Sequence, residues 1–318
     1  MPPVTSEADL VRALAVALGP AGDSVRLGIG DDCAVLARPS GDLVWTVDAH
    51  VDAVHFRREW LMYEDVGFRS YAAAASDVVA MGASPIAVLS ALTLDPVVTD
   101  ADLVALARGQ RQASEAASAA VVGGNLSRGA TFSVTTTVLG RVLGARAVER
   151  GGARPGDRLF LTGPVGLAGL GLRALEAGLA EDPRLREVID AFRRPRVRYD
   201  LASAVSRASA AVDVSDGLAI DAGRLASASG VAIVLGAAEV LSLGGPALAS
   251  GAARFGVEPM LAALQGGEDY VVLGAISPRE PVPPGLTIVG EVRAGEGVFI
   301  DHGSELRRVG AVGHDHFT

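Results

Sequence analysis

The sequence predicts an α/β protein of two domains. Strand-like and helix-like segments alternate along most of the chain, as they do in layered α/β folds. At 318 residues the chain is also longer than one hydrophobic core usually organises. Near the middle, residues 150–157 read Arg-Gly-Gly-Ala-Arg-Pro-Gly-Asp, a cluster of turn-forming residues that marks a boundary. We therefore expect one domain at 1–148 and a second at 149–318.

In the first domain, apolar periodicity predicts helices and strands in alternation. The helices are expected at 6–18, 62–80 and 100–117. The strands are expected at 43–48, 89–94, 119–122 and 131–142. In the last of these, Phe132, Val134 and Thr136 alternate with Ser133 and Thr135, which is typical of a strand. The glycine pair at 123–124 is expected to form a turn.

The second domain is predicted to alternate in the same way. Its strands are expected at 158–162, 211–214, 231–235, 270–276 and 286–289. Its helices are expected at 165–178 and 216–228. The charged segment 181–198 is interrupted by prolines and is expected to be a linker, and the tail from Gly295 is expected to be irregular.

Every one of the 28 basic residues is an arginine. The absence of lysine excludes a P-loop lysine, a protein-kinase lysine, a pyridoxal-phosphate Schiff base and a lysine general base. A protein of this composition that handles phosphates must use arginine, backbone N–H groups or a metal ion. The net charge of −9 argues against a general nucleic-acid binder.

The sequence also indicates a cytoplasmic protein. Its single cysteine, Cys33, excludes an internal disulfide. The first ten residues have neither the basic nor the apolar region of a signal peptide. No stretch approaches the ~18 consecutive apolar residues of a membrane span, so no membrane association is expected.

Six short motifs place acidic or amide side chains beside glycines or at strand ends. They are GIGDDC at 28–33, TVDAHVDAVHF at 46–56, ASDVVAMGASP at 75–85, VVGGNLSRG at 121–129, AVDVSDGL at 211–218 and LQGGEDY at 264–270. Each alone is compatible with a solvated turn or a helix cap. Together they favour a hard-metal site that serves phosphates, because Mg²⁺ prefers carboxylate and phosphate oxygens. His50 and His55 are weaker support for zinc, since carboxylates dominate and no cysteine cluster accompanies them.

In order and spacing, these motifs, together with RGGARPGD at 150–157 and LTGPVG at 161–166, resemble the thiamine-monophosphate kinase family. The resemblance covers about residues 25–275 and includes the closing Asp315-His316-Phe317. It implies the two-domain fold of the aminoimidazole ribonucleotide synthetase-like superfamily, with a C-terminal α/β domain. It also implies that the N-terminal domain binds ATP and Mg²⁺ and that its sheet forms a barrel across a homodimer.

The resemblance further implies roles for individual residues. The implied Mg²⁺ ligands are Asp32, Thr46, Val47, Asp48, Asp77, Asn125, Asp213 and Asp216. The implied ATP contacts are Gly124, Asn125, Arg150 and Ser215. The implied contacts to thiamine monophosphate are His55 and Glu268. The catalytic residues implied for in-line phosphoryl transfer are Asp48, Asp213 and Arg150.

The sequence departs from the family at three positions. Asn125 stands where the family has aspartate, so an oxygen ligand is kept but its charge is lost. Asp31 and Asp52, which are near other candidate ligands in sequence, are the carboxylates that could compensate. Val47 replaces a threonine, so only its backbone carbonyl can bind a metal. Ala311 stands where the family often has a substrate-stacking aromatic residue.

The resemblance implies ATP- and Mg²⁺-dependent phosphorylation of thiamine monophosphate to thiamine diphosphate. Another ATP-dependent synthetase of the superfamily, such as a purine-pathway synthetase or selenophosphate synthetase, remains an alternative. Selenophosphate synthetase typically needs a reactive cysteine or selenocysteine near the N-terminus. Here Cys33 follows two aspartates, which would raise its thiol pKa and weaken it as a nucleophile. A metal-dependent phosphatase and a non-catalytic nucleotide-binding module are the other two alternatives.

Overall fold

The structure is a computed structural model that describes residues 7–20, 25–27, 29, 34–36 and 41–310. The chain divides into two compact units. The first unit consists of residues 1–78 and 84–141, and the second of residues 79–83 and 142–318. The segment 79–83 therefore belongs to the second unit although it lies within the first half of the sequence.

The first unit is built on a four-stranded sheet. Its strands are β3 (Leu43–Val51), β4 (Ala83–Leu94), β5 (Val121–Arg128) and β6 (Ser133–Val142), in the order β3-β6-β4-β5. Strands β3 and β6 are antiparallel, whereas β4 and β5 are parallel. A separate antiparallel pair is formed by β1 (Val25–Leu27) and β2 (Val35–Leu36). The sheet is open in the single chain.

Helices α1 (Glu7–Leu18), α2 (Tyr63–Ala80) and α3 (Asp100–Ala117) accompany this sheet. Helix α3 begins with a capping box, in which the side chains of Thr99 and Asp102 each accept a hydrogen bond from the other residue's backbone N–H. Helices α2 and α3 approach closely because glycines lie at the crossing. A Cβ atom on Gly109 would lie only 1.8 Å from the carbonyl oxygen of Glu64.

The two faces of the four-stranded sheet differ sharply. Along β3, Val44 is buried, whereas Trp45 and Val47 are 73% and 63% exposed. On the buried face, Gly140 of β6 makes room for Val78 of α2, whose Cγ1 atom would lie 2.3 Å from a Cβ at that position. Because side chains alternate along a strand, one face is packed under helices while the other presents apolar groups to solvent.

The second unit contains a seven-stranded sheet. Its strands are β7 (Arg158–Leu161), β8 (Ala210–Val214), β9 (Ala232–Gly236), β10 (Val271–Ile276), β11 (Thr287–Arg293), β12 (Gly297–Asp301) and β13 (Leu306–Val309). Their order is β13-β12-β9-β11-β7-β10-β8. Only the pair β9 and β12 is parallel among these neighbours. Nearly every residue of β8, β9 and β10 is buried, which explains their continuous apolar runs.

Helices pack around this sheet. They are α4 (Leu167–Glu176), α5 (Arg186–Arg193), α6 (Ala202–Val205), α7 (Leu218–Ser229), α8 (Ala237–Arg254) and α9 (Pro259–Gln265), with short 3-10 helices at Pro183–Leu185 and Tyr199–Leu201. One core cluster joins Phe160, Val205 and Ile276 to Val79 and Ala80 at the end of α2. Of the helices in the described part of the chain, none has the length and apolarity that crossing a bilayer requires.

Three expectations from the sequence are wrong. The segment 181–198 is not a linker, because α5 buries Val188, Ile189 and Phe192 on one face. The tail from Gly295 forms β12 and β13 instead of an irregular segment. The glycine pair at 123–124 lies inside β5 and forms no turn, because both residues pair with β4, and at Gly124 this pairing leaves no room for a Cβ atom.

Candidate functional site

Strand β3 and helix α2 bring together two residues that are distant in sequence. The hydroxyl Oγ1 of Thr46 donates a hydrogen bond of 2.6 Å to Oδ2 of Asp77. Asp77 lies half-buried within the alanine-rich part of α2, where a carboxylate without a partner would be costly. The hydroxyl of Thr46 therefore satisfies one oxygen of this carboxylate and holds it toward the inner face of β3.

Asp48 and His50 follow Thr46 on the same face of β3, because side chains two residues apart share a face. Asp48 is 38% exposed, and its Oδ1 accepts a hydrogen bond of 2.8 Å from the backbone N–H of Ala49. The Nδ1 atom of His50 lies 4.0 Å from Oδ2 of Asp48. Burial, with the positive charge of Arg69 as a smaller cause, lowers the pKa of His50 to about 3, so this ring is neutral at physiological pH.

The donor set around Asp48 fits Mg²⁺. Thr46, Asp48 and Asp77 offer only oxygen atoms, which Mg²⁺ prefers to nitrogen or sulfur. Two buried polar atoms on the same side of the sheet, Oγ1 of Thr136 and Nδ1 of His50, have no hydrogen-bond partner. Thr136 is directly opposite Asp48 in the β3–β6 ladder. Buried polar groups of this kind normally bind water or an ion, as the hydration shell of Mg²⁺ would provide.

No three His, Cys, Asp or Glu side chains within the described ranges lie close enough to hold a metal ion by themselves. This agrees with the usual chemistry of Mg²⁺, which is bound by one or two carboxylates together with water and substrate phosphates. It disfavours the zinc interpretation of His50 and His55, whose ring centres are 5.8 Å apart.

A tight loop after β3 carries His55. The backbone N–H of His55 donates to the carbonyl of Val51, and Nδ1 of the His55 ring accepts a hydrogen bond of 3.1 Å from the N–H of Val51. An acceptor at Nδ1 implies that the proton of the neutral ring resides on Nε2. His55 is therefore prepared to donate a hydrogen bond from Nε2 to an anionic ligand.

Arg58, in the same loop, forms ion pairs with one aspartate after β3 and another after β4. Its Nε lies 2.7 Å from Oδ2 of Asp52, and its guanidinium also pairs with Asp95 after β4. The same guanidinium lies 5.5 Å from the ring centre of Phe132. The carboxylate of Asp52 is thus already paired, which makes it a poor substitute for the charge missing at Asn125.

Strand β5 brings Gly124 and Asn125 to the sheet beside Ser90 and Ala91 of β4. A Cβ atom at Gly124 would lie 1.8 Å from the carbonyl oxygen of Ser90. Both Gly124 and Asn125 are exposed. The glycine is therefore required by the strand pairing, and it also leaves the backbone accessible to a ligand.

We expect Gly124→Ala to destabilise the protein by about 3 kcal/mol, because the new methyl group would overlap a backbone carbonyl that cannot move without breaking the sheet. This corresponds to a fall in Tm of about 6 °C or more, measured by differential scanning calorimetry. Gly123→Ala is the matched control, since a Cβ there meets only the end of the Leu89 side chain at 3.2 Å. Equal Tm values for the two variants would contradict the observed β4–β5 pairing.

A cavity of about 200 Å³ in the first unit opens beside Gly124 and Asn125. Its wall is mostly apolar and includes Leu92 and Leu106. One polar group at the wall is Gln110, whose Nε2 donates a hydrogen bond of 2.8 Å to Oγ of Ser90. Pockets for whole drug-sized ligands usually measure about 300–1,000 Å³, so this cavity suits a single ring system.

In the second unit, the turn after β8 holds Ser215 and Asp216. Both backbone N–H groups donate to Oδ2 of Asp221, at 3.1 and 3.0 Å. Arg224 bridges the carboxylates of Asp216 and Asp221, with NH1 2.6 Å from each. Burial raises the pKa of Asp221 to about 6, and the charge of Arg224 opposes this shift. Sequence reasoning missed Asp221 and Arg224, although their i,i+3 spacing on a helix was a usable signal.

The GGEDY motif lies directly against this turn. The N–H of Glu268 donates to the carbonyl of Ser215 at 2.7 Å, and a Cβ on Gly267 would lie 2.5 Å from the same oxygen. The buried carboxylate of Asp269 accepts hydrogen bonds from the N–H groups of Gly166 and Ala168 at the start of α4. The structure therefore brings three sequence motifs, LTGPVG, AVDVSDGL and LQGGEDY, to one place in the second unit.

The remaining predicted residues are placed differently. Asp213 is buried in β8, paired in register with Val272 of β10. The carbonyl of Arg150 accepts a hydrogen bond from Ser229 at the C-terminal end of α7. The 12 residues of α7 span about 18 Å, so the structure does not bring Arg150 next to Ser215. Asp32, Ala311 and the closing Asp315-His316-Phe317 lie outside the described residues.

Comparison with known proteins identifies the family over most of the chain. The sequence matches the AIR synthase related protein N-terminal domain over residues 30–142 and the C-terminal domain over 154–301. It is 35% identical over 277 residues to the thiamine-monophosphate kinase of Aquifex aeolicus, covering 86% of this chain and 89% of that protein. Over 298 residues it is 34% identical to the thiamine-monophosphate kinase of Methanopyrus kandleri, covering 92% of each.

A solved structure gives the same result for the fold. The protein described as AaThiL complexed with AMPPCP and TMP has a TM-score of 0.80 and 31% identity, covering 98% of this chain and 97% of that one. The predicted two-domain α/β fold of this superfamily is confirmed. The chain belongs to the thiamine-monophosphate kinase family, within the AIR synthase related proteins.

Proposed function

We propose that this protein transfers the γ-phosphoryl group of ATP to thiamine monophosphate in the presence of Mg²⁺ and forms thiamine diphosphate. The observation that carries the proposal is an oxygen-rich group, in which Thr46 and Asp48 share one face of β3 and Thr46 is hydrogen-bonded to Asp77 of α2. The curated relatives named thiamine-monophosphate kinase extend over most of the chain. A structural relative is described with AMPPCP, an analogue of ATP, and with TMP.

Within this proposal the metal ligands come from both units. Those of the first unit are Asp32, Thr46, the carbonyl of Val47, Asp48, Asp77 and Asn125, and those of the second are Asp213 and Asp216. Bound Mg²⁺ would supply charge neutralisation of the phosphate oxygens. The hydroxyl of Thr46 holds Asp77 in place, and the ion pair with Arg224 holds Asp216.

The nucleotide is proposed to bind along β5. The accessible backbone at Gly124 suits a close approach of phosphate, because no side chain intervenes. The apolar cavity beside it suits the adenine ring. Ser90 and Gln110 at the cavity wall could form hydrogen bonds with the polar edge of that ring. Arg150 and Ser215 are the proposed ATP contacts from the second unit, and arginine takes the role that lysine has in other kinases.

The acceptor is proposed to contact His55 and Glu268. Donation from Nε2 of His55 would orient the phosphate of thiamine monophosphate. An oxygen of that phosphate is already ionised at pH 7, so the reaction requires no strong general base. Catalysis would then come from in-line positioning, to which Asp48, Asp213 and Arg150 contribute, and from charge stabilisation.

The proposal includes a homodimer whose two first-unit sheets form a barrel. The apolar side chains on the uncovered face of the sheet, among them Leu43, Trp45, Val47 and Leu89, are 41–73% exposed in the single chain. Contiguous apolar surface of this kind usually marks an interface. A second copy is the proposed partner because the family resemblance implies it and because a twofold contact would cover the same face on both chains.

One assay separates the proposal from its alternatives. The protein is incubated with ATP, Mg²⁺ and thiamine monophosphate, and the products are resolved by chromatography. We expect ADP and thiamine diphosphate in equal amounts. Phosphate released without ATP would indicate a phosphatase, and ATP binding without ADP would indicate a non-catalytic module. ADP formed only with another acceptor would indicate a synthetase.

Asn125 allows a test of the proposed metal set. We expect Asn125→Asp to lower the Mg²⁺ concentration for half-maximal activity about three- to tenfold, because a carboxylate restores a charge that an amide lacks. A tenfold change corresponds to about 1.4 kcal/mol. The measurement is a Mg²⁺ titration of kinase activity at fixed ATP. An unchanged or higher half-saturating concentration would show that Asn125 is not a weakened metal ligand.

A further inference from the structure

The backbone around Glu268 adopts an unfavourable conformation. Glu268 and Tyr270 have φ values of +70° and +52°, in the left-handed region where a side chain costs free energy. Ala53 and Ser118 are the other two non-glycine residues with positive φ in the described part of the chain. Ser118 ends a helix, where this conformation is common. Two such residues within three positions are less usual and require the surrounding structure to hold them.

The contacts that hold this segment are buried and specific. Asp269, between the two strained residues, accepts hydrogen bonds of 2.6 Å from Gly166 and 3.0 Å from Ala168. The N–H of Tyr270 donates to the carbonyl of Val214 at 2.9 Å. With the bond from Glu268 to Ser215, these contacts attach residues 268–270 to both the α4 and the α7 side of the sheet end. The conformation is therefore imposed by tertiary contacts.

The result of this conformation is a defined orientation of one carboxylate. The hydroxyl of Tyr270 donates a hydrogen bond of 2.7 Å to Oε2 of Glu268. A hydrogen bond to a charged acceptor is stronger than one between neutral groups. The helix cap formed by Asp269 does not involve this carboxylate, and the hydrogen bond from Tyr270 fixes the position of one of its oxygens.

The chemistry of a carboxylate identifies which part of the ligand it meets. A phosphate is anionic and would be repelled by Glu268, whereas the thiazolium ring of thiamine monophosphate carries a positive charge. We propose that Tyr270 is a positioning residue that orients Glu268 toward the cationic thiazolium part of the substrate, and that the strained backbone at 268–270 exists for this purpose. This inference rests on the proposed function for the identity of the substrate.

The first test concerns the strain and needs no substrate. Glu268→Gly and Glu268→Ala both remove the carboxylate, but only glycine adopts a φ of +70° without cost. We expect the Tm of Glu268→Gly to exceed that of Glu268→Ala by about 2 °C. Equal Tm values, or a less stable glycine variant, would overturn the claim that the backbone is strained.

The second test measures substrate binding by isothermal titration calorimetry, with thiamine monophosphate, AMPPCP and Mg²⁺. We expect Tyr270→Phe to weaken thiamine monophosphate binding about tenfold and to leave the Kd of AMPPCP unchanged. Tyr199→Phe is the matched control, since the Tyr199 hydroxyl is also buried but has no hydrogen-bond partner. It should leave both Kd values unchanged.

The outcomes separate this inference from the proposed function. Unchanged thiamine monophosphate binding in Tyr270→Phe, or an equal loss of AMPPCP binding, would overturn the positioning role while leaving the kinase assignment intact. A wild-type protein that does not bind thiamine monophosphate would overturn the kinase assignment and the thiazolium contact together. The Tm comparison of the two Glu268 variants would still decide whether the segment is strained.

Discussion

Asp48→Ala is expected to lower kcat by about 10²–10³-fold while the fold stays intact. The expected fall in kcat is the one usually measured when one preorganised electrostatic group is removed from an active site. Asp48 lies at the candidate metal site, on the same face of β3 as Thr46. Its carboxylate is more than one-third exposed, so its removal leaves no large buried cavity.

The measurement is steady-state kcat at saturating ATP, Mg²⁺ and thiamine monophosphate, together with a thermal unfolding curve. Asp42→Ala is the control, because Asp42 is an exposed aspartate just before β3 and away from the proposed ligands. We expect the control to retain full activity. A near-normal kcat in Asp48→Ala would remove Asp48 from the catalytic site, and a large fall in Tm would indicate a structural role instead.

Trp45→Glu is expected to convert the proposed homodimer into monomers. Trp45 is 73% exposed in the single chain, on the apolar face of the four-stranded sheet. Buried tryptophans at interfaces can contribute about 2–4 kcal/mol or more, and a twofold contact contains the residue twice. The variant also places one unpaired glutamate carboxylate from each chain in the interface, which is unfavourable.

The experiment is size-exclusion chromatography with light scattering, which should show a change from twice to once the chain mass of 32.3 kDa. Val97→Glu is the matched control, since Val97 is 68% exposed but lies in the loop before α3. It should remain dimeric. A Trp45→Glu protein that stays dimeric would contradict the use of this sheet face, and a monomeric wild type would contradict the dimer itself.

Much of the local structure follows from sequence patterns alone. The three helices of the first unit begin and end within about one residue of the predicted positions, because the apolar periodicity that predicts them is local. Alternation of Phe132, Val134 and Thr136 with Ser133 and Thr135 also predicted the strand that the structure shows as β6. Helix α5 was missed although Val188, Ile189 and Phe192 recur at helical spacing, because the surrounding charges and prolines are also typical of a linker. Strands β12 and β13 were missed because they are short.

The sequence by itself determined the class of chemistry and the family. The absence of lysine, the aspartate-containing motifs and their order are properties of the chain that no fold can change. Only the tertiary structure decided the partners of those residues. In the structure Asp77 accepts a hydrogen bond from Thr46. Asp52 forms an ion pair with Arg58, and Asp216 forms one with Arg224. The backbone of Glu268 is held in the left-handed region. The physical reason is that periodicity and capping act over a few residues, whereas strand register, ion pairing and backbone strain depend on contacts between segments that are far apart in the chain.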